Sequence, residues 1–167
     1  EIGDDLDEEI LEIFLEEADE VLETLHEEIP KWRADPEAKE SLATTRRMFH
    51  TLKGSGRLAG ALLLGELAWA CENLLNRVLE HSLDAADPRL HDVVDQAMRI
   101  LPPLVAQLRD GTAVEADVRG LMLRADILAD PSRHHELDAL QEPAAEEPVA
   151  EEPVAEEPVA EEPVAEE

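Results

Sequence analysis

The chain has 167 residues, enough for one ordinary domain with additional segments, and 42 acidic against 14 basic side chains give it a formal net charge of −28. So acidic a surface repels nucleic acid and anionic membranes, because binding to either rests on neutralising phosphates with cations. The lone cysteine, Cys71, excludes an internal disulfide and a cysteine-based zinc site, and it suits a reducing compartment such as the cytoplasm.

No run of apolar residues is long enough to span a bilayer, and no signal-peptide pattern opens the chain. The first residue is Glu1 rather than Met, so a piece of a longer protein is expected. Aromatic residues are few (Phe14, Trp32, Phe49 and Trp69), which predicts an aliphatic core.

The periodicity predicts helices throughout the first 130 or so residues. Ile10, Phe14, Ala18, Val21 and Leu25 recur at helical spacing from about residue 5 to Pro30, with Asp5 and Glu8 as a capping arrangement. A breaker-rich loop through Trp32, Pro36 and Lys39 is expected next, then a second helix from about Ser41 to Ala59 that Gly60 ends. A third helix spans about Leu62–His81, with Leu63, Leu67, Ala70, Cys71, Leu74 and Val78 inward. Asp87-Pro88 reads as an N-cap followed by proline at the first helical position. The fourth helix then buries Leu90, Val94, Ala97, Leu101, Leu104 and Leu108, and Pro102-Pro103 should kink it. Thr112 and Glu115 form a capping box for a fifth helix through Val118, Leu121, Met122 and Leu128, stopped by Asp130-Pro131.

The expected architecture is all-α: an antiparallel four-helix bundle with an additional fifth helix, occupying residues 1–131. Residues 132–141 read as a connector. Residues 142–167 repeat Glu-Glu-Pro-Val-Ala four times and hold eleven glutamates without a cation. Proline at every fifth position blocks helix and sheet ladders, so a disordered acidic linker is expected, able to reach about 80 Å if extended.

One stretch departs from the ordinary amphipathic pattern: Arg46-Arg47-Met48-Phe49-His50-Thr51-Leu52-Lys53-Gly54-Ser55-Gly56-Arg57. On a helix, Arg46, Lys53 and Arg57 lie within about 60° of His50, while Met48, Leu52 and Ala59 point the other way. Gly54 and Gly56 each cost roughly 1 kcal/mol against alanine in a helix interior. Close approach of another molecule's backbone, or of a phosphoryl group, to an exposed imidazole would favour them. Phosphoryl transfer to histidine needs a neutral ring nitrogen, access for in-line attack and nearby cations for the phosphoryl oxygens. Lys53 suits the last role, with Arg46 and Arg57 as longer-range supports. A carboxylate on the other ring nitrogen would fix the tautomer and orient the ring.

The heptapeptide His50-Thr51-Leu52-Lys53-Gly54-Ser55-Gly56 resembles in full the His-x-apolar-Lys-Gly-small-small signature of histidine phosphotransfer (HPt) domains. Glu72-Asn73-Leu74-Leu75 in the next helix is similar to the matching segment of the phosphotransfer domains of CheA-type chemotaxis histidine kinases. The resemblance covers roughly residues 5–130 and is strongest over about 46–79. It implies that Glu72 holds Nδ1 of His50, that Nε2 accepts the phosphoryl group, that Lys53 steadies it and that Gly54 clears space for a docking partner. It also implies partners: a histidine kinase ATP-binding domain or a phospho-receiver as donor, and a response-regulator receiver as acceptor. ATP and Mg²⁺ would come with those partners, this domain binding no cofactor itself. The module would not be an enzyme alone but part of a multidomain histidine protein kinase, and the acidic tail resembles a spacer in hybrid kinases of type IV pilus chemosensory systems.

A competing class is a helical docking module for receiver or kinase domains that is never phosphorylated; it would need no joint His50, Lys53 and Glu72. A bundle with a metal or cofactor in its core would need inward His or Glu pairs, whereas the inward positions are aliphatic. His26, His81, His91 and the adjacent His134-His135 lack partners at ligand spacing. Cys71 falls on an apolar stripe and reads as a small buried hydrophobe. Trp69 falls beside the phosphoacceptor face or on the bundle edge. An acidic monomer is expected.

Overall fold

The computed structural model describes residues 2–141, and side chains from residue 7 to residue 140. The expectation of a disordered linker over 142–167 lies outside the described residues. Six α-helices follow in order: α1 Ile2–Ala34, α2 Lys39–Leu58, α3 Leu62–Leu79, α4 Pro88–Asp110, α5 Val118–Ala129 and α6 His134–Gln141. A single 3₁₀ turn, Pro131–Arg133, precedes α6, and no strand occurs among the described residues.

Helices α1 to α4 form the antiparallel bundle. Arg109 of α4 pairs with Asp19 of α1 at 2.9 Å, and Arg33 near the end of α1 pairs with Asp95 nearer the start of α4, which fixes their opposite directions. Helix α5 packs against α3 and α4, and α6 against α5. The shared core is aliphatic as expected. Phe14, Ala18, Val21 and Leu25 meet Phe49 and Leu52, the α3 stripe from Leu64 to Val78, and Leu90, Val94, Ala97, Leu101 and Leu104. Cys71 is fully buried among them, and burial pushes its thiol up to about 12.

Several boundaries differ from the sequence expectation, each for a local reason. Helix α1 already runs through Asp5, so no cap forms there, and it continues past Pro30 to Ala34. Pro30 is exposed, whereas Ile29 and Trp32 are buried. An interior proline costs about 3 kcal/mol, and burying side chains of this size returns roughly 1.5–3 kcal/mol each, so packing wins over local preference. Trp32 is therefore a core residue and not part of a loop. Helix α4 likewise stays continuous through Pro102 and Pro103, both exposed, with Leu101, Leu104 and Val105 buried beside them.

Helix α3 stops two residues before the expected His81. His81 takes a left-handed φ of 62°, the Ser82 amide donates to Arg77 O and the His81 amide to Val78 O, a Schellman closure. Gly60, at φ 77°, ends α2 as predicted. Asp87 caps α4 as predicted, accepting the Arg89 amide at 2.9 Å.

The Thr112–Glu115 box does not form. The Asp110 carboxylate captures both the amide and the hydroxyl of Thr112, and the chain stays non-helical until Asp117, which caps α5 by accepting from the Gly120 amide at 2.9 Å. Residues 132–141, expected as a connector, hold the end of the 3₁₀ turn and helix α6. Asp130 caps the 3₁₀ turn by accepting from the Ser132 amide and hydroxyl, and Leu137 of α6 is buried in the core. His134 and His135 thus open a helix. The His134 ring donates from Nε2 to Leu128 O at 2.8 Å, tying α6 to the end of α5.

Candidate functional site: an exposed histidine on a buried carboxylate

The α2 residues Arg46, His50, Lys53 and Arg57 fall on one stripe, and that stripe runs along α3 in antiparallel register. Arg46 meets Asn76, His50 and Lys53 both meet Glu72, and the Arg57 stem lies against Gly65. Two glycines let the helices come this close. A Cβ on Gly56 would stand 3.2 Å from Leu64 Cδ2 and 3.5 Å from Gly65 Cα, and one on Gly65 would stand 3.4 Å from Lys53 O. Gly56 thus packs tightly against α3 of its own chain and does not face an incoming molecule. Gly54 is the opposite case: it is exposed, and a Cβ there would meet nothing within 4 Å.

His50 Nδ1 lies 2.8 Å from Glu72 Oε1, with 58% of the histidine side chain exposed against 5% of the glutamate. Lys53 Nζ lies 2.7 Å from Oε2, forming an ion pair. Burial alone would raise the Glu72 carboxyl, but Lys53 and His50 outweigh it and hold the group below its ordinary value. The carboxylate is thus ionised and accepts a hydrogen bond from Nδ1, which leaves Nε2 on the far side of the ring from it. Chemically, this is an exposed imidazole oriented by a carboxylate, with a cation alongside.

Of the sequence-predicted residues, His50, Lys53 and Glu72 come together in one cluster. Arg46 reaches across to α3 while staying partly exposed: its Nε donates to Asn76 Oδ1 and its terminal nitrogen lies 3.8 Å from Glu72 Oε1. Arg57 is exposed and forms no ion pair among the described residues. Asn76 was not identified from sequence, although it follows Glu72 by one turn just as Arg46 precedes His50 by one turn. Trp69 is half exposed and lines a shallow cleft with Asn73 and Arg77 of α3 and with Asp126 and Pro131.

The other histidines stand apart: His91 stacks on Trp32 with centroids 4.5 Å apart and donates to Ala85 O. Among the described residues no group of three or more His, Cys, Asp or Glu could hold a metal ion, and no helix is long and apolar enough to cross a membrane.

A helical bundle presenting one exposed, carboxylate-anchored histidine defines a class. The Hpt domain family matches residues 9–111, and the chain belongs to that family, the phosphotransfer modules of two-component systems. Among curated proteins, the chain is similar to the chemotaxis protein CheA of Listeria monocytogenes, 27% identical over 128 residues that cover 77% of this chain and 21% of that protein. The Bacillus subtilis protein of the same name is 27% identical over 134 residues, 80% of this chain and 19% of the relative. The sensor histidine kinase CheAY of Helicobacter pylori is 33% identical over 107 residues, 64% of this chain and 13% of the relative. The chain thus spans about a fifth of the length of the CheA relatives. No solved structure matches significantly.

Proposed function

We propose that His50 is the phosphoacceptor of this module. The observation that carries the reading is the 2.8 Å contact between the Nδ1 of an exposed imidazole and a buried, ionised carboxylate. The Nε2 lone pair attacks phosphorus, the N–P bond forms, and the P–O bond to the leaving group breaks. The leaving group is ADP in a kinase domain or an aspartate carboxylate in a receiver. No proton need leave during attack, because the positive charge that develops on the ring is met by Glu72 at Nδ1. Lys53 pairs with Glu72 Oε2 at 2.7 Å, and the other N–H donors of its ammonium are placed to lend charge to the transferred oxygens. Gly54 leaves the surface beside His50 open to the partner, and exposed Arg57 adds a cation to the docking face.

In this reading the partners are a histidine kinase ATP-binding domain and a response-regulator receiver, which bring ATP and Mg²⁺; the chain supplies the nucleophile. It is one module of a larger cytoplasmic histidine kinase and has no kinase activity alone. The test is phosphorylation of the purified protein by a phosphorylated receiver or a small phosphodonor, with the label mapped by mass spectrometry and its acid lability. Label at His50 that passes on to a receiver is expected. A folded protein that binds receivers yet takes no label would overturn the reading in favour of an unphosphorylated docking module.

A further inference from the structure

Arg46 sits one helical turn before His50 and reaches across to α3, where Asn76 sits one turn after Glu72. Asn76 Oδ1 accepts from Arg46 Nε, and this orients the guanidinium fork so that its terminal nitrogen stands 3.8 Å from Glu72 Oε1. That is the oxygen which accepts from His50 Nδ1. At 3.8 Å the guanidinium is too distant to compete for that hydrogen bond, yet near enough to act on it by charge.

The charges around the carboxylate can be followed one by one. Glu72 by itself would favour a protonated imidazole, which has no lone pair for attack on phosphorus. Lys53 on Oε2 neutralises that carboxylate. Arg46 adds a second cation within ion-pair distance of the carboxylate. Further cations of α2, Arg47 and Arg57, form no ion pair among the described residues, and α1, the other helix packed on α2, places no acid within ion-pair distance of the cluster. Asn76 contributes no charge, so its effect runs through Arg46.

We infer that Arg46 and Asn76 are a positioning pair that keeps the His50 imidazole in its neutral, nucleophilic form while Glu72 orients it. The inference rests on the reading of His50 as phosphoacceptor and adds the residues that set the pH range over which it can accept.

The experiment is an NMR pH titration of the His50 ring in the full chain and in Arg46→Gln, Arg46→Lys, Asn76→Ala and the Arg46→Gln/Asn76→Ala double variant. Circular dichroism verifies that each is folded. Removing the charge should move the His50 midpoint upward by about half a pH unit, the effect of one unit charge at a partly exposed site. Asn76→Ala should move it in the same direction. The double variant should move it no further than Arg46→Gln, because both changes remove one interaction. Arg46→Lys, which keeps the charge, should stay near the parent value. On the acid limb of the phosphorylation profile the same shift reads as about a threefold slower reaction.

An unmoved midpoint in Arg46→Gln, or a shift in Arg46→Lys as large as in Arg46→Gln, overturns the inference. A midpoint unmoved in Asn76→Ala alone removes Asn76 from the pair. The titration requires no phosphate. A chain that shows the shifts but takes no label would therefore fail the phosphoacceptor reading alone, and a labelled chain without them would fail this inference alone.

Discussion

Gly56 of α2 and Gly65 of α3 face each other so closely that a Cβ on the first would stand 3.5 Å from the Cα of the second. This contact lies about two turns from His50 on α2 and two turns from Glu72 on α3, where the glutamate side chain reaches Nδ1 at 2.8 Å. The two glycines next to the histidine motif therefore have different duties: one joins helices, the other leaves a surface open.

That difference can be measured. Gly54→Ala should raise stability by up to about 1 kcal/mol, since it adds helix propensity without a clash, whereas Gly56→Leu should lower it by forcing the helices apart. Thermal melts of the two variants should move in opposite directions. Gly54→Leu should keep the fold and weaken receiver binding in a titration; undiminished affinity would contradict the role given to the open surface.

His50→Gln should abolish phosphorylation while leaving the helical signal and melting temperature nearly intact, because the ring is mostly exposed. Label that persists would place the acceptor elsewhere.

Lys53→Ala should slow transfer more than tenfold, a barrier increase of roughly 1.4 kcal/mol or more. Single-turnover transfer from a phosphorylated receiver is the appropriate readout, and an unchanged rate would leave Lys53 as a counter-ion to Glu72 only.

Glu72 should also carry pH-dependent stability. Its folded-state ionisation lies below the ordinary carboxylate value, so the stabilisation is present above that ordinary value, about 4.3, and disappears as pH falls through the lower folded one. Glu72→Gln should melt below the parent at neutral pH, and the two curves should converge in acid. A gap that is constant from neutral pH into acid would mean that the charge is not what stabilises.

Leu137→Ala should cost about 2–4 kcal/mol if α6 is an integral part of the bundle, because the side chain is buried in the common core. Chemical denaturation would show it, and a cost near zero would return residues 132–141 to the status of a connector.

The sequence by itself determined the class of fold, through the 3.6-residue recurrence of Phe14 to Leu25, Leu67 to Val78 and Leu90 to Leu104, because amphipathic spacing is local information. It also pointed to His50, Lys53 and Glu72 by motif. What only the tertiary structure decided are the places where a distant contact outweighs a local preference. Trp32 draws α1 past Pro30, Asp110 takes Thr112 away from its expected cap, and Leu137 anchors a helix whose eight residues carry too little periodicity to announce it. The same holds within the site. A glycine, an arginine and an asparagine look alike in sequence whether they face solvent or a neighbouring helix, and only the antiparallel register of α2 on α3 buried Gly56 and brought Asn76 to meet Arg46.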